Sequence, residues 1–216
     1  AQNFTAISGG LINVNTATAQ VLELLPGMMP EIAQEIVRSE KGVIKIRRTD
    51  FESVEQEYQY RLLAASLCWV SSKPYKPRFL SLERLLKKIL SSRSQRSLHG
   101  CIINSKRDDI IIFREIQSLR KLETAFKPGC LWDKKWVLTL LDKKSVFSDW
   151  KIRVLDHGGA KQLNNELTKN IDLPIIMVQP GVFWGDNLIC APSLEKNIYV
   201  SATFCAKPFI ELLNPY

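Results

Sequence analysis

Ten basic side chains crowd into residues 73–107: Lys73, Lys76, Arg78, Arg84, Lys87, Lys88, Arg93, Arg96, Lys106 and Arg107. Only Glu83 opposes them there, while the rest of the chain balances 20 basic against 21 acidic residues. One stretch therefore supplies the whole net charge of +8. Ammonium and guanidinium groups at this density attract polyanions, and such binding falls steeply with salt. Nucleic acid is the expected partner; a merely solvated basic face and an anionic membrane surface are the other readings. The candidate phosphate contacts are Lys76, Arg78, Arg84, Lys87, Lys88, Arg93 and Arg96. Arg78 can instead pack beside Pro74 and Pro77, and Arg84 can pair with Glu83 or a neighbouring helix.

Other reactive residue types give less. The five cysteines, Cys68, Cys101, Cys130, Cys190 and Cys205, are odd in number, widely spaced and free of any Cys-x-x-Cys pair. His99 stands two residues from Cys101, too close for zinc-finger geometry, so buried free thiols are expected and a metal site is not. That cysteine usage suits a reducing compartment, the cytoplasm. His157 precedes Gly158-Gly159 with no Gly-x-Ser-x-Gly elbow nearby, and reads as a turn residue rather than a catalytic base. Trp132, Trp136 and Trp184 could stack on bases, but aromatics in strand-like runs more often fill cores.

These residues need elements to hold them. With 216 residues, 45% apolar and 24% charged, the chain can form one large domain or two small ones. No apolar run reaches the roughly 18 residues of a membrane-spanning helix. The start, Ala1-Gln2-Asn3-Phe4-Thr5, lacks an initiator Met and a signal pattern, and reads as a chain beginning partway through a longer protein. Residues 50–70 predict one amphipathic helix, with Val54, Tyr58, Arg61, Leu62, Ala65, Leu67 and Trp69 at helical spacing. Residues 71–78, holding two prolines, predict an extended link. Residues 80–90 predict a second helix with Leu82, Leu85, Leu86, Ile89 and Leu90 inward and Arg84, Lys87 and Lys88 outward. Residues 91–97 read as a loop. From Leu98 the period shortens: strands are predicted at 100–103, 110–114, 136–141, 151–155, 175–178 and 188–191, with a helix at 159–170. The expected class is α+β, a helical first third followed by a mixed, largely antiparallel β domain with one or two helices.

The first 41 residues carry two further patterns. Leu25-Pro26-Gly27-Met28-Met29-Pro30, between predicted helices, resembles a helix-hairpin-helix, a motif whose glycine-bearing hairpin brings backbone amides to a nucleic-acid phosphate. Met29 stands where the motif carries its second glycine. The string from Ile12 to Ala17 also resembles the K subunit of type II secretion systems, where the hairpin is structural. Ser8-Gly9-Gly10-Leu11 resembles the start of the Ser-Gly-Gly-x-Asp-Ser loop of N-type ATP pyrophosphatases, but Ile12-Asn13 replaces Asp-Ser.

From about Gly42 onward, phrases in a fixed order resemble the C-terminal portion of the tRNA(Ile)-lysidine synthetases. Arg61-Leu62-Leu63, Trp69-Val70 and Tyr75-Lys76-Pro77-Arg78 resemble the family's helical domain. Leu98-His99-Gly100-Cys101 resembles its Leu-Gly-Gly-Cys hairpin, with His99 for glycine. Arg114-Glu115 resembles its Arg-Glu-Pro strand, with Ile116 for proline. Pro128-Gly129 and Trp132-Asp133 resemble its Pro-Gly…Trp-Asp-Gly segment, with Lys134 for glycine. Leu173-Pro174, Val182-Phe183-Trp184-Gly185-Asp186-Asn187-Leu188 and Ala191-Pro192 are similar to a further ordered region, and Lys207-Pro208-Phe209 to a terminal phrase.

The resemblance implies a ligase that joins lysine to a cytidine of tRNA(Ile), using ATP and magnesium. Those cofactors serve an N-terminal pyrophosphatase domain whose loop is missing here, so no catalytic residue and no cofactor is carried over to this chain. What it implies for this chain is tRNA recognition. The expected organisation is a short helical hairpin over 1–41, a helical tRNA-binding-type domain over 42–97 and an α+β domain over 98–216. tRNA is the expected partner, with no membrane, and a homodimer is open as an assembly. A DNA-binding helix-hairpin-helix module or a secretion-system assembly protein are the alternative functions.

Overall fold

Asp109–Arg114, with the sequence Asp-Ile-Ile-Ile-Phe-Arg, is apolar at every interior position. Alternate side chains of a strand leave opposite faces, so such a run suits a strand buried on both sides. A computed structural model of the chain describes residues 41–141, 148–163, 168–169, 171–195 and 198–206, and there this segment is strand β4. Ile110 and Ile112 enter one core, Ile111 and Phe113 another. The readings placed on residues 1–40 and on Lys207-Pro208-Phe209 lie outside the described residues.

β4 pairs antiparallel with β1 (Ile44–Arg47) and β3 (Cys101–Ser105), and β2 (Gln95–Leu98) adds the far edge, giving the order β1-β4-β3-β2. The register sets Ile112 beside both Ile44 and Ile103. That stripe packs under α1 (Arg48–Ser53), α2 (Gln56–Ser71) and α3 (Phe79–Ser91). Sheet 1 thus joins strands from both sides of residue 98.

The opposite face of sheet 1 meets two more antiparallel sheets. Sheet 2 runs β10 (Asn187–Cys190), β9 (Pro180–Trp184), β8 (Trp150–Val154), β5 (Thr124–Ala125); sheet 3 runs β11 (Val200–Phe204), β7 (Trp136–Leu140), β6 (Cys130–Trp132). Ile111, Phe113, Trp132, Trp136, Leu138, Ile152 and Val182 share this second core. A third core, with Leu155, Ile176 and Phe183, lies among α5 (Asp156–Ala160), α6 (Leu173–Met177) and sheet 2. The short α4 (Ile116–Arg120) follows β4. The class is α+β with antiparallel sheets, as expected.

Several boundaries differ from the sequence reading, each for a local reason. The helix expected over 50–70 is two, because Val54 and Glu55 are extended and the buried Gln59 amide donates to the carbonyls of Phe51 (2.8 Å) and Val54 (2.9 Å). Arg61 is exposed and pairs with Glu57 rather than joining the buried stripe. Leu90, about 100° past Ile89 on the helix, is exposed. Residues 175–178 do not form a strand: Pro174 sits in the first turn of α6, and the amides of Ile175 and Ile176 donate to the Asp172 carbonyl. α5 starts before the expected helix at 159–170, whose later part falls partly outside the described residues. The two residues that stand for glycine in the Leu-Gly-Gly-Cys and Trp-Asp-Gly phrases are left-handed here, His99 at φ 61° and Lys134 at φ 57°. His99 and Gly100 (φ 78°) form the two-residue turn joining β2 to β3, the mirror-image turn that the twist of a hairpin favours.

The helical layer is tied to sheet 3 through buried charges. Lys135 is 2% exposed, and its ammonium donates to the Val70 carbonyl (2.8 Å), Ser72 Oγ (2.7 Å) and Asp133 Oδ2 (3.0 Å). Arg114 donates to the same carboxylate through Nη2 (2.7 Å) and Nε (3.3 Å). Burial pulls the Lys135 pKa down, with Asp133 opposing that pull. Three acceptors match the three N–H bonds of the charged form. Phe204 reinforces the seam, its ring 5.8 Å from Trp69 and 4.9 Å from Trp136. Replacing Asp133 by Asn keeps the shape and the tolerance of positive φ, but leaves two cations without their counter-charge. Urea denaturation of Asp133→Asn should show a loss of about 3–5 kcal/mol. Lys135→Met leaves Asp133 paired with Arg114, and should lose less.

Candidate nucleic-acid interface

Helix α3 owes its orientation to Leu82, Leu85, Leu86 and Ile89, all buried against α2 and sheet 1. At about 100° per residue, Arg84, Lys87 and Lys88 then fall together on the opposite side. All three are exposed. Lys87 pairs with Glu83 at 2.9 Å, and that hydrogen bond raises its pKa above the ordinary lysine range. The acidic residue expected as a partner for Arg84 is thereby taken by Lys87. Among the described residues, no ion pair engages Arg84 or Lys88.

The other four candidates flank this stripe and are likewise exposed. Lys76 lies in the extended link and Arg78 is the N-cap residue of α3. Arg93 lies in the connection from α3 to β2. Arg96 is a correction: residues 95–97, expected as the end of a loop, belong to edge strand β2. Its register opposite Ile103 turns Arg96 toward the face of sheet 1 that carries the helices, and its guanidinium donates to its neighbour's carbonyl, Gln95, at 3.1 Å. The amide of Ser105 bonds the Ser94 carbonyl, so the turn with Lys106 and Arg107 adjoins the same end. Those two are partly neutralised, by Asp172 at 3.7 Å and Asp108 at 3.9 Å.

Aromatic side chains interleave with these cations, a feature missed in the sequence although Tyr75-Lys76-Pro77-Arg78-Phe79 displays it. Tyr75 and Phe79 are both 61% exposed. Phe79 rests against Tyr60 at 5.2 Å, and Lys73 Nζ lies 6.0 Å from the Tyr75 ring centre. Exposed rings among cations suit unpaired bases as well as phosphates. Of the tryptophans, Trp132 and Trp136 are core, whereas Trp184 is 60% exposed on sheet 2.

The other reactive residue types are distributed as follows. All five cysteines are free, but Cys205 is exposed and Cys130 half-buried, against the expectation of burial. Burial pushes the Cys101 thiol up to about 12, far from the reactive thiolate. Among the described residues, histidine, cysteine and acidic side chains form no cluster of three that could hold a metal ion. Among these residues no helix is long and apolar enough to cross a membrane.

The surface position of the stripe has a direct check. Arg84→Glu with Lys88→Glu should change folding stability by no more than about 0.5 kcal/mol in urea, since neither side chain contributes to a core. Leu85→Ala on the opposite side should cost about 2–5 kcal/mol.

Comparison with known proteins adds a family to this geometry. The chain is 31% identical over 104 residues to the tRNA(Ile)-lysidine synthase of Wolbachia sp. subsp. Brugia malayi (strain TRS), covering 46% of this chain and 24% of that protein. The same identity and coverage hold for the enzyme of Wolbachia pipientis wMel. That of Rickettsia bellii (strain OSU 85-389) is 28% identical over 116 residues, 53% of this chain and 27% of that protein. The chain thus spans about a quarter of the length of the curated relatives it matches. No family model matches the chain, and no solved structure does. Over about half its length, the chain is similar to tRNA(Ile)-lysidine synthases, the family whose ordered phrases it resembles.

Proposed function

We propose that this chain is the tRNA-recognition portion of a lysidine-forming ligase, gripping the RNA backbone with α3 and the segments that flank it. The observation that carries the reading is the outward stripe of Arg84, Lys87 and Lys88, flanked by Lys76, Arg78, Arg93 and Arg96, in a chain similar to enzymes named for tRNA(Ile). Cations on a rigid helix meet phosphates at a fixed spacing. They orient the RNA without reading its sequence, since phosphates are the same at every nucleotide. The exposed Tyr75 and Phe79 would add stacking that tolerates any base. On this reading ATP and magnesium act in a catalytic domain outside the described residues, and the setting is cytoplasmic. The described residues contribute affinity and orientation, placing a distant cytidine for chemistry done elsewhere.

Titrating the chain against a tRNA(Ile) transcript at several salt concentrations tests this. Several phosphate contacts should weaken binding about 10³-fold or more between roughly 50 and 200 mM salt. Arg84→Glu with Lys88→Glu should weaken it about tenfold further and flatten the salt slope. Affinity that is unchanged between low and high salt would sink the proposal, as would full affinity in the charge-reversed variant.

A further inference from the structure

A second group of donors lies beside the stripe, at the turn from β2 to β3. The position a Cβ would take on Gly100 lies 3.4 Å from Arg114 Nη1, 3.5 Å from Lys73 Nζ and 3.6 Å from Ser118 Oγ. These donors come from three separate segments: the link after α2, the end of β4, and α4. Each of the three donors therefore lies within about 7 Å of the other two, around the half-buried Gly100. Arg114 gives Nε and Nη2 to Asp133, which leaves Nη1 for Gly100. Among the described residues, no carboxylate forms an ion pair with Lys73. Glu115 is the acidic group at the rim, its Oε2 accepting from Ser118 Oγ at 3.4 Å.

Two cations brought together repel unless an anion lies between them. His99, the other residue of the turn, reports that field. Its Nε2 is buried without a hydrogen-bond partner, and its ring meets Tyr75 edge-on at 5.2 Å. Burial, and then the charge of Lys73, holds the imidazole below its ordinary pKa, with Arg114 adding to the effect and a backbone hydrogen bond at Tyr75 opposing it.

We propose that the Gly100 turn binds a single phosphoryl group through Lys73, Arg114 and Ser118, and that in the complex this group is a backbone phosphate of the RNA. The second half rests on the tRNA-binding reading above; the first does not. Ammonium and guanidinium groups donate to non-bridging phosphate oxygens and make the stronger bonds, and the Ser118 hydroxyl joins them by turning its one O–H from Glu115 Oε2 to the phosphate. A side chain on Gly100 would stand among all three donors, and the φ of 78° strains any other residue there.

The chain has two histidines, so one NMR titration contains its own control. Inorganic phosphate, added at constant ionic strength, should shift the His99 resonances saturably and raise its pKa, because a neighbouring anion favours the protonated form. His157, in α5, should not respond. Lys73→Gln, a half-exposed position where misfolding is not expected, should weaken the phosphate response about tenfold, and Ser118→Ala should weaken it less. A His99 signal that is unmoved at about 50 mM phosphate overturns the site, as does an unchanged response in Lys73→Gln. For the RNA half, Lys73→Gln should lose tRNA affinity by a similar factor, and tRNA should displace the phosphate response. If tRNA binds the wild type and Lys73→Gln equally while phosphate still moves His99, the RNA assignment falls and the phosphoryl site stands. If the wild type binds no tRNA at all while phosphate moves His99, the proposed function fails and the phosphoryl site again stands.

Discussion

A carboxylate held between two buried cations must be matched atom by atom, because each charge taken from water costs several kcal/mol unless its hydrogen bonds are replaced. Asp133 lies in the left-handed turn between β6 and β7, and Ser72 in the left-handed cap of α2. Ser72 Oγ accepts from Lys135 and donates to the Asp133 carbonyl at 3.1 Å, so cap and turn are bonded to each other as well as to the lysine. A helix end, a strand end and a hairpin are thereby fixed relative to one another. Apolar packing alone tolerates small slips of one layer over another; this set of directional bonds does not. The orientation of α2 against sheet 3 follows from it, and through α2 that of α3.

With its orientation fixed by buried leucines, α3 is free to carry charge on its outer side at little cost to stability. Arg84 and Lys88, one helical turn apart, repel by a few tenths of a kcal/mol, and the Glu83–Lys87 pair at the same spacing offsets about as much. A helix selected for stability alone would alternate its charges. Strand β2 adds a second consideration. Among the described residues its outer edge is unpaired, and an exposed edge invites pairing with another chain unless charge discourages it. Arg96, exposed on that strand, supplies such a charge. Edge protection therefore accounts for one of the seven cations, and it does not reach the three on α3.

Much of this was legible in the sequence, and the failures have physical causes. The helix α3, the extended link and strands β3, β4, β7, β8 and β10 follow from periodicity and turn residues, which act locally. Strands β1, β2, β5, β6, β9 and β11 were missed because two to five residues carry too little pattern. β2 in particular, Gln-Arg-Ser-Leu, is polar because it lies at an edge, and only its pairing with β3 makes it a strand. The break between α1 and α2 depends on one amide side chain, Gln59, satisfying two carbonyls, and no propensity registers that. Charge clustering identified the exposed stripe correctly, since it asked only for residue types. It could not separate Lys73 or Arg114 from other cations, because their importance comes from a meeting of segments some forty residues apart in the chain.

Arg114 connects the scaffold to the surface. Its guanidinium is planar, and the two nitrogens engaged by Asp133 fix the direction of the third. Nη1 is aimed at Gly100 because the buried carboxylate holds the other side of the fork. A lysine at this position would have one point of attachment and no fixed direction. The same acidic residue that secures the helical layer to sheet 3 therefore also sets the geometry of the Gly100 turn. Loosening Asp133 would disorder that turn even where the fold survived. The charged stripe on α3 differs in kind: its side chains are long, solvated and individually replaceable, suited to affinity and salt-dependent approach. A docking surface needs both, a diffuse field that gathers the polyanion and at least one rigid point that sets its register. On the proposed reading, the field comes from residues whose types alone disclose it, and the rigid point from residues disclosed only by the fold.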